Sequence, residues 1–137
     1  MLSYEVDGSV LILRASGTTT RDQREPVFAA VRADARVPNG APVLLDVREV
    51  DVGMGKHVVV ERLRVLLDLL GPKLGAACAL LVTRELGDQS RIFETEAAGF
   101  GLRAKLFTDE RTAHQWLMRL DKVQHGQGNR STRSVRA

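Results

Sequence analysis

The segment Ala76–Val82 reads AACALLV and is apolar at every position. A strand of this composition is covered on both faces, which is commonest in parallel sheets with helices packed against them. A second apolar run, Val43–Leu45, is separated from the first by a long segment with helical periodicity. Strands that alternate with helices predict an α/β domain with a mostly parallel sheet.

The N-terminal residues predict a β-hairpin. Tyr4 and Val6 alternate with polar residues, Asp7-Gly8 is typical of a two-residue turn, and Val10–Leu13 is apolar. The full pattern is β-β-α-β-α-β-α-β-α, with the third strand predicted at Val43–Val47 and the last at Arg103–Phe107. We therefore expect a mixed five-stranded sheet, in which the hairpin is followed by mostly parallel strands, with about four helices.

The ends of two helices can be predicted from single residues. Thr20 and Gln23 match a capping box, whereas Pro26 would remove a hydrogen bond from the helix interior. The first helix should therefore either begin near Arg24 or be kinked. Gly99 is expected to close the third helix.

The net charge of +3 comes from the C-terminal segment, because residues 1–121 contain 16 basic and 17 acidic residues. This balance argues against nucleic acid binding by the domain. The last 16 residues have too few apolar side chains to bury a core. We expect a domain at 1–121 and a disordered basic tail at 122–137. The basic residues of that tail are Lys122, Arg130, Arg133 and Arg136.

The chain of 137 residues has the usual size of one domain. A single cysteine, Cys78, rules out an internal disulfide framework and a cysteine-based zinc site, and its place in an apolar run favours a core thiol. No apolar run is long enough to cross a bilayer, and the N-terminus lacks the regions of a signal peptide. We expect a cytoplasmic protein without integral membrane contact.

The loop after Val43–Leu45 is the predicted working surface. Sites of α/β domains usually lie where the carboxyl ends of strands meet the N-termini of helices. We therefore predict that this loop binds a ligand or a partner through Asp46, Asp51, Gly53, Gly55, Lys56 and His57.

The glycines of this loop admit two interpretations. Glycines before a helix let backbone N–H groups approach a phosphate or another anion. However, one residue separates Gly53 from Gly55, and His57 follows Lys56, so the Walker pattern is not met. The alternative is a turn with an exposed lysine.

A hydrolytic or metal site at Asp46, Asp51 and His57 is the weaker hypothesis. Asp46 is expected to hydrogen-bond the loop backbone, and Asp51 to face water. A nucleophile, base and orienting group are not found together, and no histidine pair has metal-ligand spacing. We expect no catalytic residue, no metal and no cofactor.

The helix predicted after the loop has an unusually wide apolar face. Such a face indicates either deep burial or contact with a partner. Its first stripe contains Val59, Leu63, Leu66, Leu67 and Leu70, and its second contains Val58, Val65 and Leu69.

Four segments resemble, in order and spacing, the SpoIIAA-like proteins of the STAS/SEC14-like group: YEVDGSVLILRASG, VLLDVREVD, CALLVT and LRAKLFTDERTAHQWL. The resemblance spans about residues 2 to 121. It implies a β/α superhelix, the architecture of anti-sigma-factor antagonists, transporter STAS domains and lipid-binding SEC14 modules. None of these folds is mainly catalytic.

The loop after Val43–Leu45, here called the central loop, departs from the resemblance where a serine is expected. In anti-sigma-factor antagonists a partner kinase phosphorylates a serine at the N-terminus of the following helix. Gly55 and Lys56 stand where that serine is expected, and no Ser or Thr lies between Thr20 and Thr83. The resemblance therefore implies a protein without the phosphorylation switch.

Two functions follow. The first is a non-enzymatic STAS-like regulatory or protein-interaction module that binds a regulatory protein or forms a homodimer. The alternative is a SEC14-like module that binds a small apolar or phosphorylated, anionic ligand. The ligand would lie between the helix predicted after the central loop and the third predicted helix, which ends at Gly99. An enclosed apolar cavity would favour the second function, and a flat apolar patch the first.

Overall fold

The computed structural model describes residues 1–17, 20–50, 64–65, 68, 74–83 and 87–120. Five strands form one sheet, and three helices are complete or nearly complete within these ranges. The strands are β1 (Leu2–Asp7), β2 (Val10–Gly17), β3 (Ala41–Val50), β4 (Leu74–Leu81) and β5 (Arg103–Phe107). The helices are α1 (Arg21–Ala33), α2 (Gly87–Gly99) and α3 (110–120).

The helix count within the described ranges is three rather than the predicted four. The missing helix is the one predicted after the central loop, and only residues 64, 65 and 68 of it are described. These three residues are helical. The predicted basic tail, 122–137, lies outside the described residues. None of the described helices is long and apolar enough to cross a membrane.

The order of strands in the sheet is β1-β2-β3-β4-β5. β1 and β2 are antiparallel, and every later pair is parallel. This confirms the predicted mixed sheet with an N-terminal hairpin. The carboxyl ends of β2, β3, β4 and β5 consequently lie along one edge, here called the carboxyl edge.

The two faces of the sheet are covered differently. α1 and α2 pack on one face, where Phe28, Val31 and Phe93 are buried. α3 packs on the other face, here called the α3 face, through Ala113 and Leu117. Alternate strand residues supply each layer, as the period of two requires. On the α3 face the buried strand residues are Val10, Ile12, Leu44, Ala77, Ala79 and Leu81.

The hairpin turn is shifted by one residue from the prediction. Asp7 pairs with Val10 as part of the strands, so the two turn residues are Gly8 and Ser9. Gly8 has a φ of +62°, which a glycine adopts without steric cost.

Both predicted helix ends are also refined. α1 begins at Arg21, because Thr20 and Gln23 form the complete capping box, and Pro26 lies inside the helix. α2 ends at Gly99 as predicted, and the glycine with left-handed backbone in its C-terminal turn is Gly101. Gly101 has a φ of +80°, and the N–H of the next residue, Leu102, donates to the carbonyl of Ala97, as in a Schellman motif.

Candidate functional site

Asp46 is the centre of a charged cluster on the α3 face. It lies within β3, which continues to Val50 and is longer than the predicted strand Val43–Val47. Only 7 % of the residue is exposed, and it is the one buried charged residue among those the structure describes. A buried carboxylate is costly unless it is paired and hydrogen-bonded.

Arg14 provides the first pairing. It is opposite Asp46 in the parallel register of β2 and β3, and its Nη1 atom donates to Asp46 Oδ2 at 2.8 Å. The same guanidinium donates to both carboxylate oxygens of Glu110 at 2.8 and 2.9 Å. It also donates to Glu5 on β1, with a shortest distance of 2.8 Å. One arginine therefore joins β1, β2, β3 and α3.

Arg48 provides the second pairing, from the same face of β3. Its Nε and Nη2 atoms each donate to one carboxylate oxygen of Asp46 at 3.0 Å. The backbone N–H of Arg48 also donates to Asp46 at 3.2 Å, which agrees with the backbone hydrogen bond predicted for this aspartate. Its Nη2 atom reaches Glu110 at 3.3 Å. We refer to the five residues as the arginine cluster: Glu5, Arg14, Asp46, Arg48 and Glu110.

The two arginines of the cluster keep the carboxylates of Asp46 and Glu110 ionised. Burial by itself would raise the pKa of Asp46, but hydrogen bonds from Arg48 and Arg14 outweigh burial and hold that pKa below its ordinary value. The hydrogen bond from Arg14 likewise lowers the pKa of Glu110. In return, the bonds to Glu110 and Glu5 raise the pKa of Arg14. Asp46 is therefore unsuited to act as a general base near neutral pH.

The N-terminus of α3 is capped by its own side chains. Asp109 accepts hydrogen bonds from the backbone N–H of Thr112 at 2.9 Å and from its hydroxyl at 2.7 Å. These bonds lower the pKa of Asp109. Because the cap places a carboxylate at the helix N-terminus, this terminus does not offer a site to an anion.

Two open cavities flank the start of α3. The larger, about 790 Å³, is a groove between β1 and α3. The smaller, about 300 Å³, lies at the carboxyl ends of β4 and β5 and is lined by Val82, Leu106, Phe107, Thr108, Asp109 and Thr112.

Of the six predicted site residues, Asp46 alone is described. It is a paired structural carboxylate that borders the predicted loop. The other five lie outside the described residues and remain predictions: Asp51, Gly53, Gly55, Lys56 and His57. Within the described ranges, no group of three or more His, Cys, Asp or Glu side chains is arranged to hold a metal ion.

The sequence analysis did not identify Arg14, Arg48 or Glu110 as members of a site. One signal was present, because Asp46 and Arg48 are separated by a single apolar residue of β3 and therefore share a strand face. The contact between Arg14 and Glu110 joins residues 96 positions apart, and it follows only from the sheet register and the placement of α3.

No family model matches the chain, and no curated protein matches it. Solved structures do match. One is an uncharacterized protein of the DUF3478 family with a SpoIIAA-like fold from Shewanella loihica PV-4. It has 24 % sequence identity and a TM-score of 0.57, and the match covers 85 % of this chain and 92 % of that chain.

The chain has the SpoIIAA-like fold. A second match agrees, an anti-sigma factor antagonist from Mycobacterium paratuberculosis with 18 % identity and a TM-score of 0.53. That match covers 86 % of this chain and 93 % of the antagonist. The SpoIIAA-like fold confirms the resemblance predicted from the sequence, and at these identities the likeness concerns the fold alone.

Proposed function

We propose that this chain is a non-enzymatic, STAS-like regulatory module that binds another protein through the carboxyl edge of its sheet. The observation that carries the proposal is the arginine cluster. It engages the buried carboxylate of Asp46 with two arginines, so among the described residues this cluster supplies a charged surface, and Asp46 is not available as a base. The partner is a regulatory protein or a second copy of the chain.

The other reactive group of the described core supports a non-enzymatic role. Cys78 is buried, and burial raises the pKa of its thiol to about 12. A thiol is nucleophilic as the thiolate, which this residue does not form near neutral pH.

The similarity to an anti-sigma factor antagonist supports a protein partner. The mode of control would differ, because Gly55 and Lys56 stand where the phosphorylated serine is expected. A fixed positive charge at Lys56 would favour an acidic partner surface and would not respond to a kinase.

The alternative function is a SEC14-like small-ligand module, for which the described residues offer a cavity of about 300 Å³ at the ends of β4 and β5. This cavity is open and not enclosed, so it favours the alternative less than the protein-interaction function. Its volume is at the lower limit for a small-molecule site. The Asp109 carboxylate on its wall favours an apolar over a phosphorylated ligand.

The proposal is tested with affinity-tagged full-length protein expressed in its own host. Lys56→Glu reverses a charge in the predicted loop, and Arg103→Glu is the matched control at the amino end of β5, where the residue is exposed. The proposal predicts that a stoichiometric protein partner is retained by the wild type and by Arg103→Glu but lost from Lys56→Glu. Equal retention by both variants would place the binding surface elsewhere.

A further inference from the structure

Among the described residues, the α3 face of the sheet is incompletely covered at β1. Glu5 lies on this face, because it pairs with the buried Ile12, and Asp7 lies two residues further on the same side. α3 covers the central strands and leaves the groove of about 790 Å³ between itself and β1. The side chains of Glu5 and Asp7 are 57 % and 66 % exposed.

The groove carries more negative than positive groups. Four carboxylates line it, against one guanidinium group and one imidazole. When the adjoining members of the arginine cluster are included, five carboxylates face three guanidinium groups. His114 contacts one of these carboxylates, with its Nε2 atom 3.2 Å from Asp7 Oδ2 and without hydrogen-bond alignment. The groove is lined by Glu5, Val6, Asp7, Ile12, Asp109, Glu110, Arg111, His114 and Gln115.

The same chain carries a segment of complementary charge directly after α3. Residues 122–137 contain four basic residues and no acidic residue. Three of them, Arg130, Arg133 and Arg136, are spaced by three residues. Arginine pairs well with carboxylates because its planar guanidinium can donate two parallel hydrogen bonds.

The connection is long enough for the segment to reach the groove. Gln115, which lines the groove, is about 8 Å along the helix axis from residue 120, at 1.5 Å per residue. The residues from 121 onward could span up to about 50 Å if extended. A tether of this kind gives an effective concentration in the millimolar range, at which pairs that are individually weak can persist.

We propose that the basic segment 122–137 binds in cis to the acidic groove between β1 and α3. The segment contacts Asp7 and Asp109 with its arginines and covers the part of the sheet face that α3 leaves open. The contact is electrostatic, so added salt weakens it.

Paramagnetic relaxation enhancement tests this proposal, measured as the loss of amide signal intensity in NMR spectra of the full-length protein. A nitroxide label is attached at Ser134→Cys, between Arg133 and Arg136. The native thiol of Cys78 does not compete for the label, because it is buried and its pKa is raised to about 12. Cis binding predicts a loss of amide intensity at residues 5–7 and 109–115, and recovery of that intensity in high salt.

Matched variants distinguish binding of the segment in the groove from mere nearness of the label to the domain. Replacing Arg130, Arg133 and Arg136 with serine should restore the groove amide intensities, and Asp7→Asn should restore them in part. Asp22→Asn is the control, because Asp22 is exposed on α1, which packs on the opposite face. It should change nothing.

Three results would overturn the proposal. The first is intensity loss confined to the last turn of α3. The second is broadening of the groove amide signals that persists when the three arginines are replaced. The third is equal broadening of the groove amide signals when one molecule carries the nitroxide and another carries the isotope label for NMR, because binding would then be between chains.

Discussion

Arg14 and Asp46 are opposite each other on adjacent parallel strands, and their side chains are joined by a 2.8 Å hydrogen bond. Asp46 is almost completely buried, whereas a third of the Arg14 side chain is exposed. The pair therefore connects the interior of the α3 face to the surface at the carboxyl edge. Glu110 extends the connection to the first turn of α3.

Arg14→Gln should lower the free energy of unfolding by about 1–3 kcal/mol, because Asp46 loses one of its two arginines while remaining buried. Arg36→Gln is the matched control. Arg36 also forms an aspartate pair, with Asp34 at 2.7 Å, but its side chain is 69 % exposed. The control should lose much less stability in urea unfolding. Equal losses would contradict a structural role for the arginine cluster.

Acid should weaken the fold through Asp46 and Glu110. Their ordinary pKa values are 3.8 and 4.5, and both are lowered in the folded protein. A carboxylate with a lowered folded pKa contributes stability above its unfolded pKa and loses it as the pH falls toward the folded value. The free energy of unfolding should therefore decrease as the pH drops below about 4.5.

The same titration in Arg14→Gln provides the comparison. Without the arginine, the folded pKa values of both carboxylates move back toward their ordinary values. Urea unfolding of the variant should depend less steeply on pH in this acidic range than that of the wild type. Parallel curves for the two proteins would show that Arg14 does not set these pKa values.

Gly75→Ala should destabilise the protein by about 1–3 kcal/mol through overpacking. A Cβ atom at Gly75 would lie 2.3 Å from the carbonyl oxygen of Gly40 and 2.6 Å from that of Ala41. Both contacts are with backbone, which cannot move aside cheaply. Gly99→Ala is the control, because a Cβ there meets nothing within 4 Å and alanine favours the helix. Thermal unfolding should show opposite or clearly unequal shifts in Tm.

Cys78 should not react with a thiol reagent in the native protein, because it is 2 % exposed and its pKa is raised to about 12 by burial. One thiol should become reactive in denaturant. The rate of labelling in each state, followed by mass spectrometry, checks this prediction. Rapid stoichiometric labelling of the native protein would reopen the possibility of a cysteine nucleophile.

The strands were the most predictable part of the fold. Burial on both faces of β4 gives a continuous apolar run, and β5 was predicted with its observed bounds, Arg103–Phe107. β3 was predicted too short, because Arg48 and Glu49 near its end are charged and exposed and therefore looked like a loop. Sequence patterns record burial, so a strand that projects beyond the core is shortened in the prediction.

The candidate site was less predictable. Asp46 was predicted, but its partner Arg14 lies 32 residues away along the chain. Glu110, which accepts from both arginines, lies 64 residues from Asp46. Their contact depends on the parallel register of β2 and β3 and on the position of α3, which no local pattern encodes. The remaining predicted site residues, from Asp51 to His57, are still predictions.

Native mass spectrometry of the full-length protein purified from its own host tests the proposed function most directly. Gentle activation in the gas phase releases any bound molecule for identification. The protein-interaction proposal predicts the mass of a homodimer or of a complex with a second protein, with no additional small mass. A monomer that retains a stoichiometric small ligand would contradict it and favour the SEC14-like alternative.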